Sequence, residues 1–404
     1  MLNVIFLGGI HTDSLAQYIQ NKSIGPIQNA ADILQKNYVY GLANTTSVSH
    51  IDIINLPYVG SYPNYFKDRD FQVSINHEVL YGNCNVYNKS FNNIRGLKNI
   101  SRLVSSLKSL LHLQKKSEEY RIVCYSMHLP FLIACYLTRL LRRKSKYYVI
   151  IPDLPEYMSA RSGLASFVHK IINKASYYIV NRSDGVALIT SHMAQRFKPG
   201  LKHVVIEGIS SPVERVENVH SEWWPDFLVR KEYFLYTGTL DQRYGIRDLV
   251  DSYISAGIND KILVICGDGD DRSYVEAMSL SHANIRYMGQ LKHTNIKILQ
   301  RNAALLINPR NNEGEFTKYS FPSKVIEYMS SGVPVLMYQL DGIPESYNKY
   351  FYSIESKNDF MHKLNEISVM SSSELKLMGD KAKEFITEHT GPIKQAGKLL
   401  TLFK

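Results

Sequence analysis

SFPSKVIEYMSSGVPVLMY, running from Ser320 to Tyr338, reads as a loop, a short helix and a buried strand in quick succession. Pro322 suits a first helical turn, where its missing N–H leaves no bond unmade. Val325, Ile326 and Met329 follow at near-helical spacing, and Gly332 is placed to end the helix. Val333-Pro334-Val335-Leu336-Met337 then continues as a strand. Lys324 and Glu327 stand one turn apart on the same side. Free amides at a helix start, with Ser323 and Lys324 in the first turn, make an anion site suited to a diphosphate. A carboxylate one turn on can accept hydrogen bonds from the hydroxyls of a ribose or a sugar. Each feature alone is common in α/β proteins; their combination describes a pocket for a nucleotide sugar.

Working outward, strand-like and helix-like segments alternate along the whole chain, which argues for parallel sheets covered by helices. Asn3–Leu7, Asp52–Leu56, Arg121–Tyr125, Tyr147–Ile151 and Gly185–Thr190 read as strands in the first half, with helical patterns at Ser14–Gln20, Leu97–Leu113 and Phe131–Leu141. In the second half, Tyr233–Tyr236, Ile262–Cys266, Ile285–Met288, Ala304–Asn308 and Val333–Met337 are the expected strands. At 404 residues the chain calls for two domains. The expected division is an N-terminal domain over 1–205, a polar and poorly periodic linker over 206–230, a C-terminal domain over 231–380 and a final helical stretch over 381–404. Trp223-Trp224-Pro225 is expected either to pack at the junction or to cover core.

Hydrophobic residues make up 45% of the chain, enough for packed cores. The longest apolar run, Phe131 to Leu141, is interrupted by Thr138 and Arg139 and falls short of the ~20 residues a membrane span needs. With no leader pattern at the N-terminus, the expected location is the cytoplasm. Cys84, Cys124, Cys135 and Cys266 lack metal-site or disulfide spacing, so buried thiols are expected and neither zinc nor a disulfide framework is implied. The net charge of +10 is uneven: residues 1–205 carry +13 and the remainder −3. No acidic residue occurs between Val79 and Ser117, where Lys89, Arg95, Lys98, Arg102, Lys108, Lys115 and Lys116 fall. Arg139, Arg142, Arg143, Lys144 and Lys146 form a second cluster. Such clusters serve either as solvated faces or as contacts for an anionic membrane surface. No nucleic-acid-binding motif accompanies them, so membrane is the expected partner and nucleic acid is not.

The run Glu327-Tyr328-Met329-Ser330-Ser331-Gly332-Val333-Pro334-Val335 resembles the donor-site segment of retaining family 4 glycosyltransferases, also called group 1 glycosyltransferases. That resemblance implies the GT-B fold, two doubly wound Rossmann-like domains facing a cleft, with the last helix crossing back to the N-terminal domain. Ligands in such sheets bind beyond the carboxyl ends of the strands. Gly9, after the first strand, is then placed to approach the diphosphate. Asp153, in Ile150-Ile151-Pro152-Asp153-Leu154, stands where relatives often carry a catalytic-site His or Asp; the plainer role is a helix cap. His128 is a weaker candidate of the same kind.

Tyr236-Thr237-Gly238-Thr239-Leu240-Asp241-Gln242-Arg243-Tyr244-Gly245 resembles the segment in which relatives grip the diphosphate with Arg and Lys. Here Thr239 and Tyr244 occupy those places and Arg243 is the nearest substitute, with Gly238 beside it. Gln290, after Tyr287-Met288-Gly289, is expected near the base. Relatives often place an acid eight positions before the helix Glu; Tyr319 stands there, with Glu313 and Glu315 as possible replacements.

The resemblance implies a retaining, metal-independent hexosyltransferase using a UDP- or GDP-sugar as co-substrate, with no other cofactor. Asp153 and Glu327 are its expected catalytic residues. Gly9, Gly238, Arg243, Gln290, Tyr319, Ser323, Lys324 and Glu327 are its expected donor contacts. The acceptor would be a glycan or lipid-linked oligosaccharide in surface polysaccharide assembly, with the enzyme peripheral on the inner face of the cell membrane. Two other readings stay open: a catalytically silent GT-B-like binding subunit, and a nucleotide-sugar epimerase.

Overall fold

A computed structural model describes residues 2–114, 119–157, 164–212, 224–229 and 231–404. The chain divides into two compact units, Met1–Pro212 with Thr390–Lys404, and Val213–His389. Lys115, Lys116 and Trp223 lie outside the described residues, as do residues 213–223 and 230 of the expected linker. Residues 206–212 belong to the first unit, where Ile206 and Ile209 are in the core.

The first unit is an eight-stranded sheet. Its spatial order is His203–Val205, Gly185–Leu188, Lys146–Ile151, Tyr120–Tyr125, Leu2–Gly8, Val48–Asn55, Cys84–Asn88 and His77–Leu80. Seven strands pair in parallel, and His77–Leu80 closes one edge in antiparallel. Numbered along the chain, the parallel strands run 3-2-1-4-5-6-7, a doubly wound order that reverses between Leu2–Gly8 and Tyr120–Tyr125. Strands covered on both faces need continuous apolar runs, and Val4-Ile5-Phe6-Leu7 is buried throughout. On one side, the helices Leu97–Leu113, Leu129–Leu141 and Leu164–Val180 pack successively against one another. Elsewhere in the unit, Asn29–Ala43 packs against the last helix, Pro392–Thr401. A Cβ on Gly41 would meet the Pro392 carbonyl oxygen at 2.2 Å, so glycine is what allows that approach. Leu399 and Phe403 complete the core, with the Phe403 ring 4.6 Å from Tyr148.

The second unit is an all-parallel six-stranded sheet ordered Ile285–Tyr287, Ile262–Cys266, Tyr233–Thr237, Leu305–Asn308, Val335–Tyr338 and Tyr352–Ile354. Along the chain this is 3-2-1-4-5-6, the dinucleotide-fold order, reversing between Tyr233–Thr237 and Leu305–Asn308. The helix of the opening segment spans Ser323–Ser330, with Pro322 as its N-cap. Gly332, at φ +80°, terminates it in the left-handed region.

Several expected boundaries move; the strand expected over Asp52–Leu56, for one, runs Val48–Asn55. Val333–Met337 begins its pairing only at Val335, because Pro334 has no N–H to give the ladder. Gly185–Thr190 stops pairing at Leu188 and turns into a 3-10 segment, Ser191–Arg196. The final helical stretch breaks at Gly391-Pro392, where the glycine-proline pair predicts it, but residues 390–404, rather than 381–404, join the first unit. The Asn29–Ala43 helix escapes a periodicity reading because its buried face carries Asp32, Gln35 and Asn37.

Candidate active site

Thr237 is the last residue of the central strand of the second unit, at the point where strand order reverses. Three side chains from two helices converge on it, and a fourth, Glu327, joins through two of them. The Tyr328 hydroxyl donates to the Thr237 carbonyl at 3.0 Å and accepts the Thr237 N–H at 2.9 Å. Gln300 Nε2 donates to Thr237 Oγ1 at 3.1 Å and to Glu327 Oε1 at 2.7 Å. Lys324 Nζ lies 3.3 Å from Thr237 Oγ1 and 3.1 Å from Glu327 Oε2. Helical geometry explains the convergence: Lys324, Glu327 and Tyr328 sit at i, i+3 and i+4 on Ser323–Ser330. Val325, Ile326 and Met329 fasten the other face to the core. Tyr328 is fully buried, and burial holds its hydroxyl well above the usual tyrosine range, so it acts as a neutral post. Lys324 and Glu327 are each about one-third exposed, 34% and 28% for the side chains. They therefore stand anchored below and open above.

Lys324 and Glu327, singled out by sequence, thus stand in one network. Thr237, Gln300 and Tyr328 complete it, and sequence reasoning passed them over. A threonine ending an apolar strand just before Gly238 was the available signal. Gly238 itself donates its N–H to the Cys266 carbonyl, and Gly267 lies so close that a Cβ there would meet the Gly238 oxygen at 1.8 Å. Ser323 opens the helix and is exposed. Gln290 is exposed just beyond the edge strand Ile285–Tyr287.

The loop residues arrange themselves differently from one another. Arg243 folds back on Asp241, with Nε 3.0 Å from Oδ1, and its side chain is 78% exposed. Tyr319 is buried and donates to Glu315 Oε1 at 3.4 Å, so the tyrosine and the nearby acid are in contact. Arg310, two residues past the end of the strand beside Thr237, was not anticipated. Its guanidinium lies 5.1 Å from the Phe316 ring and 5.8 Å from the Tyr244 ring, and its buried Nε has no partner among the described residues. Burial lowers its pKa.

In the first unit, Asp153 follows the strand Lys146–Ile151. The residue is solvent-exposed, yet protein crowds its carboxyl and removes enough surrounding water to push its pKa up to about 6. A pKa near 6 still leaves the carboxylate the prevailing form at neutral pH. Gly9 donates its N–H to Gln35 Oε1 at 2.8 Å, and a Cβ there would meet the Leu56 carbonyl oxygen at 2.5 Å. Its close approach is to its own chain. His128 packs edge-on against Phe131 at 4.7 Å; its Nε2 is buried, and desolvation holds its pKa well below the usual value. Among the described residues, no group of three or more His, Cys, Asp or Glu side chains is arranged to hold a metal ion.

Two doubly wound units, the second with a lysine–carboxylate pair at the end of its central strand, define an α/β protein of the GT-B fold. Residues 225–385 match the family model for group 1 glycosyl transferases, so the second unit is similar in sequence to that family. No curated protein sequence matches the chain. Among solved structures, an S. aureus TarM mutant in complex with fondaparinux, alpha-GlcNAc-glycerol and UDP is 18% identical, with a TM-score of 0.52 over 81% of this chain. This chain covers 61% of the length of that TarM. Sucrose-phosphate synthase from Thermosynechococcus elongatus is 16% identical with a TM-score of 0.63, covering 99% of this chain and 98% of its own. The lipopolysaccharide outer core galactosyltransferase WaaB is 15% identical with a TM-score of 0.58, covering 100% and 99%. All three share the fold.

Proposed function

We propose that the protein is a retaining glycosyltransferase that moves a hexose-type sugar from a nucleotide diphosphate sugar to a glycan acceptor. The observation that carries this reading is the Lys324–Glu327–Thr237 network, half-open at the reversal point of a dinucleotide-type sheet. UDP is the favoured nucleotide over GDP, because the TarM neighbour was solved with UDP. A lipid-linked oligosaccharide of surface polysaccharide assembly is the favoured acceptor, in keeping with the WaaB likeness and the basic first unit.

In this reading Lys324 and the first amides of its helix receive the charge that builds on the leaving diphosphate. They supply positive charge at that point without calling on a metal. Glu327, fixed by Gln300, accepts from hydroxyls of the ribose or sugar. Arg310 offers a second cation from the adjacent strand end, where Arg243 is held by Asp241. Asp153 contributes negative charge toward the anomeric carbon as its bond to the phosphate oxygen breaks. The acceptor oxygen forms its new bond to that carbon on the same face, and its proton passes to the departing phosphate oxygen. The configuration at the anomeric carbon is retained.

Titration calorimetry with UDP and GDP, then incubation with a panel of nucleotide sugars, tests the proposal. Micromolar binding of one nucleotide and slow release of free sugar in the α form are expected from an α-linked donor. No binding of either nucleotide by folded protein would replace the enzyme with a silent binding subunit. Interconversion of donor sugars without acceptor would make it an epimerase.

A further inference from the structure

The three successive helices on one side of the first unit, Leu97–Leu113, Leu129–Leu141 and Leu164–Val180, contain no aspartate or glutamate. A helix layer covering a sheet ordinarily turns mixed charge to solvent and apolar residues inward. Here the outer faces are studded with apolar side chains instead. On the first helix, Leu97, Ile100 and Val104 are 52%, 61% and 44% exposed at i, i+3 and i+7. On the third, Phe167, Ile171 and Tyr178 are 62%, 55% and 54% exposed at i, i+4 and i+11, again one stripe. Exposed lysines lie in or beside each stripe: Lys108 continues the first, and Lys170 and Lys174 flank and interrupt the third. Three acids that flank these helices in the chain are ion-paired, Glu119 with Arg121, Glu156 with Arg196 and Asp184 with Arg139.

We infer that this three-helix layer is a docking surface for an anionic lipid bilayer, with lysines on the headgroups and the Phe167–Ile171 and Leu97–Ile100 tips sunk into the boundary beneath them. Charge complementarity selects the occupant. An acid-free, lysine-bearing face with protruding apolar tips matches a surface that is negative outside and hydrocarbon within. A second copy of this chain would set lysine against lysine across a twofold contact. No helix among the described residues is long and apolar enough to cross a membrane, so the attachment is peripheral. Apolar insertion adds a consequence that charge alone lacks: added salt weakens binding without abolishing it. The inference rests on the first unit by itself and does not require the transfer reading.

Full-length protein is floated with vesicles of phosphatidylcholine alone and of phosphatidylcholine mixed with phosphatidylglycerol. Wild type is expected on the anionic vesicles only, with part of the binding surviving high salt. K170E with K174E is expected to weaken binding ~30-fold or more, at roughly 1 kcal/mol for each lysine. F167D with I171D is expected to remove the salt-resistant part. Leu280→Asp, at a residue 90% exposed on the second unit, is expected to change nothing. Release of sugar from donor should be equal in all these variants, which separates failure of docking from failure of the enzyme assignment. Wild-type binding absent from both vesicles, binding untouched by both double variants, or a concentration-dependent dimer dissolved by F167D with I171D would each overturn the inference.

Discussion

In the first unit the chain leaves its central strand at Gly8, and its next three amides are closed off at once. Gly9 donates to Gln35, Ile10 to Asn55 and His11 to Asp32, at 2.8, 2.7 and 2.6 Å. In the second unit the chain leaves the equivalent strand at Thr237, where Lys324 and Glu327 stay partly open to solvent. The strand order is the same in both sheets up to the sixth parallel strand. A reversal point therefore supplies a place for a ligand, and the side chains that reach it decide whether the place is free. Buried amides satisfied by internal carboxamides and a carboxylate have no bond left for an anion. A lysine held by a threonine, a glutamate and the face of the Tyr328 ring keeps donors for one.

The sharpest way to break this comparison is at Lys324. In Lys324→Ala the diphosphate loses its point charge while Tyr328 and Gln300 still hold Thr237. We expect kcat/KM for the donor to fall ~10²–10³-fold, the size usual for removing one preorganised charge-stabilising donor, with UDP affinity falling as well. Steady-state kinetics beside calorimetry checks this, and unchanged UDP affinity would take the diphosphate away from this helix.

Asp153 comes next. Asp153→Asn should lower kcat ~10²-fold and leave donor affinity nearly unchanged, because the carboxylate acts on charge that exists only in the transition state. Its raised pKa gives a second readout. The working form is the anion, so wild-type activity should drop as pH falls through about 6. That limb should vanish in the residual activity of the asparagine variant. An identical pH profile in both proteins would place the reaction centre elsewhere.

Much of this was legible beforehand because apolar runs and helix punctuation act locally. Ile262–Cys266 and Leu97–Leu113 match their expected bounds residue for residue, and Gly332 ends its helix in the left-handed conformation that only a side-chain-free residue adopts at ease. Lys324 and Glu327 were readable because their spacing alone sets them side by side. What stayed hidden is long-range. Gln300 reaches Glu327 across 27 residues and Tyr328 reaches Thr237 across 91, and no periodicity reports a partner that far away. Arg243 shows the converse: a cation at a suitable position can be spent on Asp241 two residues before it. Arg310 was not singled out as a site residue, although its place past a strand end was visible.

Gln35 sharpens the comparison from the other side. Gln35→Leu keeps the volume but orphans the Gly9 N–H in a buried setting. An unmade buried hydrogen bond costs about 1–3 kcal/mol, so denaturant unfolding of the first unit should shift by that amount, with UDP affinity of the second unit unchanged. Weakened UDP binding in a protein of unaltered stability would mean that the first reversal point contacts donor after all.

The smallest effect concerns Lys98, on the first of the three acid-free helices. Its ammonium donates to the Val59 carbonyl in the loop after the second strand. Burial, helped by Arg102 one turn away, lowers its pKa to about 7. The unfolded chain holds this proton up to the ordinary lysine range, whereas the folded chain releases it near 7. Between those values the unfolded state binds more protons, so stability rises with pH across that window. Lys98→Met has no proton to release. The wild-type melting temperature should therefore climb relative to the variant as pH is raised from 7 to 9, and parallel curves for the two proteins would mean that Lys98 titrates as a free surface lysine.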